Sequence, residues 1–270
     1  MSNPFEPTDV QGNPLEPGTF DVATAVLDAL RGVQRNALTL IGATFLALIL
    51  YYVSICTLIG WIVILPLLLF GVVKLVLEAV RGNTQVSTLW SGKDEFGRAF
   101  MSMWGFILLY VVCSIPVMVI MMGVMWPTLS ASMSGGSTNP MDTVTMTATM
   151  TVVGLLWGFI LVRIQLAPFY IVDKAAGATD ALTSSWKRTQ GNWGRLIALQ
   201  LLLFLFTTPG NVISTATSYH QQGLSPSDMV DFMPIQLAVT MVVTVLNILL
   251  GMVGYAAFAS AYDQIERPID

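Results

Sequence analysis

An all-α protein that crosses a membrane six times, with three amphipathic helices lying at the membrane surface, is what this sequence predicts. Three observations carry the prediction. Hydrophobic residues make up 54% of the chain and charged ones 10%, far below the share that covers a globule in water. Several stretches reach the ~20 apolar residues that a spanning helix needs. All twelve Lys and Arg fall on one side of the topology that those stretches define.

The chain opens polar. Pro4, Pro7, Pro14 and Pro17 mark residues 1–18 as a disordered tail, too poor in apolar residues to fold alone. It is either inert or a docking peptide around Asn3-Pro4-Phe5. Glu6, Asp9, Glu16, Asp21 and Asp28 precede any apolar run, the reverse of a cleaved signal, so the first span is expected to direct insertion itself. A single membrane domain is expected over 19–266, and 267–270 form a short end.

The apolar run from Ala37 to Val80 is long enough for two spans, expected at 37–56 and 60–80 with a tight turn at Thr57-Leu58-Ile59-Gly60. Spans three, four and six are expected at 100–125, 147–171 and 235–260. The fifth starts with the apolar run Leu196 to Phe206 and spans only by continuing through a kink at Pro209, which a membrane helix tolerates when neighbours satisfy the freed carbonyl.

The basic residues fix the orientation. Arg31 and Arg35 precede span one; Lys74, Arg81, Lys93 and Arg98 surround the connection from span two to three. Arg163, Lys174, Lys187, Arg188 and Arg195 surround that from four to five, and Arg267 lies beyond span six. The connections 57–60, 126–146 and 218–234 hold neither Lys nor Arg. Basic loops stay on the cytoplasmic side, so a multi-pass membrane protein with both termini cytoplasmic is expected.

The cytoplasmic connections carry helical stripes. Behind a possible cap at Thr19, Phe20, Ala23, Val26, Leu27 and Leu30 recur at helical spacing; so do Val86, Leu89 and Trp90, and again Ala178, Ala181, Leu182 and Trp186. Each reads as an amphipathic helix in the interface, with Trp90, Trp186 and Trp193 as anchors at headgroup level. Each leads into a basic residue and a spanning hairpin: compare Gln34-Arg35-Asn36, Gly97-Arg98-Ala99 and Gly194-Arg195-Leu196. The unit of interfacial helix plus hairpin would repeat over about 19–82, 84–174 and 177–266. Such repeats either arise from duplication of a stable hairpin or host a transport site.

Two runs carry a resemblance. Pro66-x4-Gly71 with Glu78-Ala79-Val80-Arg81-Gly82 is one. Ala167-Pro168-Phe169-Tyr170-Ile171-Val172-Asp173, with Gly177-Ala178, Ala181-Leu182, Ser185-Trp186 and Gly191-Asn192-Trp193 after it, is the other. Together they resemble uncharacterised bacterial six-helix inner-membrane proteins, the YciC-like group, which is related to the membrane domain attached to some glycerophosphodiester phosphodiesterases. The resemblance covers about 20–266. Its motifs are structural, so it implies a fold and no phosphodiesterase activity. The residues make physical sense alone. Arg81 favours a helix C-terminus and Gly82 the left-handed residue after it. Pro168 disturbs the end of span four, Asp173 can cap the next helix, and Gly177 permits a sharp turn.

Reactive groups are few. His220 is alone in an outside loop, and Cys56 and Cys113 lie within apolar spans, where thiols act as small hydrophobes. These make no metal site, catalytic triad or carboxylate pair, and the sequence has no phosphate-cradling glycine loop or basic stripe for nucleic acid. No enzyme, cofactor or bound metal is expected. The outlier is Arg163, ten residues before Asp173 and so ~15 Å deeper along a helix. A buried ionisable residue is a candidate functional site. Glu78, with Lys74 one turn away, and the Gln165 and Asn247 amides could complete a polar network with it. A structural ion pair, or an arginine reaching back to the headgroups, is the plainer account. The methionine pairs Met118/Met122, Met121/Met125 and Met146/Met150 read as packing, with soft-metal conduction as the alternative. Gly251, Gly254, Ala256, Ala257, Ala259, Ser260 and Ala261 give span six a small-residue surface suited to close helix contact.

The expected function is that of a non-enzymatic integral membrane protein: a scaffold, assembly factor or lipid-organising element. A transporter or channel for a small solute, ion or lipid, centred on Arg163, is the alternative. Membrane lipids are the expected partners, with a protein partner or a second copy of the chain as further candidates.

Overall fold

The computed structural model describes residues 19–55, 57–82, 84–133, 148–149, 151–154, 157–159, 161–205 and 226–266. The tail 1–18, residues 267–270, Cys56, His220, Met146, Met150 and the expected kink at Pro209 lie outside them. Among the described residues there is no strand. Among the described residues, three helices are long and apolar enough to cross a membrane, over Ala37–Ser54, Ile62–Arg81 and Phe96–Trp126. The chain forms two compact units: 1–50, 72–89 and 191–270 make the first, 51–71 and 90–190 the second.

In the first unit, α1 (Val22–Arg35) is capped by Asp21 rather than by Thr19. The Asp21 carboxylate accepts from the Thr24 amide and hydroxyl, each at 2.8 Å, and the Asp21 amide donates to Gln264 Oε1. Helix α1 buries Ala25, Ala29 and Gly32 and leaves Leu27 and Leu30 exposed. The small face lets its backbone come close to the end of α3 (Leu58–Arg81). Asn36 fastens the contact, its Nδ2 donating to the Gly32 and Ala79 carbonyls at 3.0 and 3.3 Å. Leu40, Ala43, Leu75 and Ala79 form a core beside Val33 and Met252. The predicted small-residue surface of span six is buried from Ala256 to Ala261, on α8 (Pro226–Glu266).

Helices α2 (Ala37–Ile55) and α3 are separated by two residues, a tighter turn than expected. Thr57 caps α3, accepting from the Gly60 amide at 3.2 Å. Helix α3 ends as its sequence predicts, with Gly82 at φ 96°.

The second interfacial element is a 3-10 helix, η1 (Val86–Lys93), and not the expected α-helix. Ser87, Thr88, Ser91 and Gly92 are weak α-formers, although eight residues is a long run for a 3-10 helix. Helix α4 (Phe96–Met133) is longer than the expected span. Ala99, Ser102 and Met103 are buried, whereas Met118, Met122 and Met125 are exposed. These methionines therefore do not fill gaps inside the described chain.

Pro66 lies inside α3. A proline has no N–H for the carbonyl four residues back, here Ile62. The Trp104 indole Nε1 of α4 donates to that oxygen at 2.7 Å.

Span four is not one helix. Helical residues between 148 and 161 give way to turns over 162–166, and α5 (Ala167–Asp173) comes next. Pro168 explains the break, because it cannot donate to Ile164. The Ile164 carbonyl accepts from Ala167 instead, at 3.1 Å. After α5, the Lys174 and Ala176 amides both donate to the Tyr170 carbonyl, and the chain reverses into α6 (Ala178–Gln190). The left-handed residue of this reversal is Ala175, at φ 54°, rather than the expected Gly177. Ala175→Gly should therefore raise the melting temperature in detergent, relieving about 1 kcal/mol. Gly82→Ala should lower it by about as much. Melting curves of the two variants moving together would refute this. Helix α7 (Trp193–Leu205) is a shorter apolar helix.

Candidate functional site

The reversal at 174–177 lays α6 back along α5, and this brings Arg163 and Trp186 together. The Arg163 guanidinium stands 4.5 Å from the centre of the Trp186 ring. Arginine over an indole is the best of the cation–π pairs, about 0.5–1 kcal/mol at an exposed site. Trp186 is half exposed. Beneath the pair, the fully buried Ser185 donates its hydroxyl to the Arg163 carbonyl at 2.6 Å. The carbonyl lies in the turn that breaks the helix ahead of Pro168, and the serine bonds to it there. Helix α6 buries Ala181, Ser185 and Thr189 and exposes Lys187 and Arg188.

Of the expected network, Gln165 is in the same turn as Arg163, its backbone N–H donating to the Leu161 carbonyl. Glu78, Lys74 and Asn247 belong to the first unit. There Glu78 accepts from the Thr88 hydroxyl at 2.6 Å, and Lys74 is half-buried on α3. Asn247 Oδ1 is buried with no hydrogen-bond partner among the described residues. Of the three expected anchors, Trp90 on η1, Trp186 on α6 and Trp193 at the start of α7 are all exposed. Cys113 is also exposed. No group of His, Cys, Asp and Glu that could hold a metal occurs among the described residues.

Two other basic residues brace helix ends. Within the first unit, Arg81 Nε pairs with Asp263 Oδ1 at 3.0 Å. Within the second, Arg98 pairs with Glu95, donates to the Ile171 carbonyl at 2.7 Å and lies over the Phe70 ring. Asp263 and Ser185 escaped the sequence reading. Ser185 is one of several small polar residues on α6, and the basic residue at helical spacing from Asp263 is Arg267, so nothing local points to Arg81 as its partner.

A family model described as a domain of unknown function (DUF7847) matches residues 21–265. The chain belongs to that family. The family span takes in the Arg163–Trp186 pair, the Arg81–Asp263 pair and all of the helices save the last residue of α8. No curated protein and no solved structure matches the chain.

Proposed function

We propose that the chain is a non-enzymatic integral membrane protein of the bacterial inner membrane, a scaffold, assembly or lipid-organising element with both termini cytoplasmic. One observation carries the reading. Several larger apolar residues of three short helices face outward: Leu27 and Leu30 on α1, Val86 and Trp90 on η1, Trp186 on α6, while Leu89 of η1 is buried. Helices α1 and α6 are held by small ones. Exposed leucines and tryptophans beside basic residues suit a helix embedded at the headgroup level.

Six spans in three repeats remain part of the proposal, and a shared bonding plan supports it. Asn36, just before α2, donates to the Ala79 carbonyl, seven residues ahead of η1. Arg98, near the start of α4, donates to the Ile171 carbonyl, seven residues ahead of α6. Arg195, near the start of α7, donates to the Phe20 carbonyl, two residues ahead of α1. In each case a donor at the start of one hairpin holds the backbone that leads into an interfacial element. Kinship with the YciC-like proteins rests on the Pro66–Gly82 and Ala167–Trp193 motifs. Lipids are the proposed partners, alongside a protein partner or a second copy.

Cysteine labelling tests the topology in a background with Cys56 and Cys113 replaced by serine. Thr84→Cys should react with a membrane-impermeant reagent only after lysis, and Ser137→Cys in intact cells. Ready reaction of Thr84→Cys in intact cells would overturn the orientation.

A further inference from the structure

We propose that the C-terminal half of α4 carries a thioether site for a soft monovalent cation, Cu(I) or its analogue Ag(I), built from Met118, Met121, Met122 and Met125. Placement on the helix is the first argument. At 3.6 residues per turn these four positions fall within an arc of about 100°. From Val117 to Trp126 no other residue shares that arc. Exposure is the second argument. Met118 and Met122 are 59% and 67% exposed, and Val119 and Ile120, outside the arc, are 63% and 51% exposed. Both sides of the helix are thus about equally open, so apolar contact alone would scatter methionine over both. The sulfur is instead confined to one side.

Spacing makes chelation feasible. Met121 and Met122 each lie three or four positions from both Met118 and Met125. Residues so spaced stand ~5–6 Å apart at Cβ. A methionine side chain is unbranched and turns freely about its bonds, so two or three sulfurs can reach one ion. Thioethers are soft, uncharged donors of the kind that select Cu(I) over the hard ions Mg(II) and Ca(II). The cluster ends next to Trp126, the last residue of the apolar stretch Phe96–Trp126. A cation arriving from water at that end does not cross the middle of a bilayer, where charge is most costly. Cys113 lies outside the arc and takes no part. Binding exchanges water for sulfur on the ion, and neither a proton nor an electron moves.

The probe is Ag(I), which has the same charge and closed shell as Cu(I) and is not oxidised by air. The full chain, with Cys56 and Cys113 replaced by serine, is titrated calorimetrically with Ag(I) in a non-ionic detergent and chloride-free buffer. This parent chain should bind the ion. Changing Met118, Met121, Met122 and Met125 together to leucine should weaken binding by more than the about tenfold that loss of even an outer-shell partner costs. Met101→Leu, exposed near the other end of α4, should leave it unchanged. Thioethers do not titrate, so the affinity should hold from roughly pH 7 to pH 5, where a site built on His220 would protonate. Absence of binding by the parent, equal binding by the parent and the quadruple variant, or binding lost toward pH 5 overturns the proposal.

Leucine is close to methionine in volume, and these positions are exposed or half-buried, so the quadruple variant should fold. A second measurement does not depend on it. X-ray absorption at the silver edge, on the parent chain loaded with one equivalent of Ag(I), should show sulfur neighbours only; nitrogen or oxygen neighbours overturn the site. None of the interfacial helices takes part, so failure of the metal site leaves the scaffold reading standing.

Discussion

Gly32→Leu is expected to cost about 3 kcal/mol of stability in detergent, the upper end for forcing a larger side chain into a packed site. A Cβ at Gly32 would stand 2.9 Å from the Ala79 carbonyl oxygen and 3.2 Å from the Val80 Cα. These are backbone atoms, so no side chain can turn aside to relieve the clash. Helix α1 would have to lift from α3, and the Asn36 bonds to the Gly32 and Ala79 carbonyls would stretch with it. Gly42→Leu is the control. A Cβ at Gly42 meets nothing within 4 Å, and leucine is the better helix former by about 0.8 kcal/mol, so that variant should melt no lower than wild type. Equal melting temperatures for the two would mean that α1 is not seated on α3 through its small face.

Trp104→Phe is expected to cost about 1 kcal/mol, the usual net worth of one hydrogen bond. Phenylalanine keeps most of the ring but cannot donate to the Ile62 carbonyl, which Pro66 already deprives of its helical partner. A double-mutant cycle isolates the link. Pro66→Ala restores an amide at that position, and in its background Trp104→Phe should cost less than half as much. Additive costs would show that the indole acts through packing alone.

Much of this fold was legible in the sequence, and the features that escaped share one physical theme. The ends of α2 and α3 were legible to within a few residues because apolar runs and turn residues are local: the turn falls next to Thr57, and Gly82 takes the left-handed conformation. The stripes located α1 and α6 but said little of their inner faces. Hydrophobic periodicity ranks residues by how strongly they avoid water. Ala25, Ala29 and Gly32 are buried for another reason, that their small size allows helices to touch. The reversal after α5 was expected at Gly177 because glycine is the usual left-handed residue. Ala175 takes that conformation instead, and alanine carries no such signal. The Arg163–Trp186 pair lay beyond reach for the same reason. Both residues were singled out, yet only the hairpin's folding back brings positions 23 apart in sequence to 4.5 Å.

The length of α4 has a consequence for the lipid around it. The helix is apolar over the 31 residues from Phe96 to Trp126, about 46 Å at ~1.5 Å of rise per residue. The hydrocarbon layer of a bilayer is ~30 Å thick. Even at a tilt of ~40°, the steep end of what spanning helices adopt, about 35 Å would stand along the membrane normal. For a helix embedded in a bilayer, that excess would be a hydrophobic mismatch, borne by lipids that stretch and thicken next to it. A membrane of uneven thickness would therefore draw this chain toward its thicker regions.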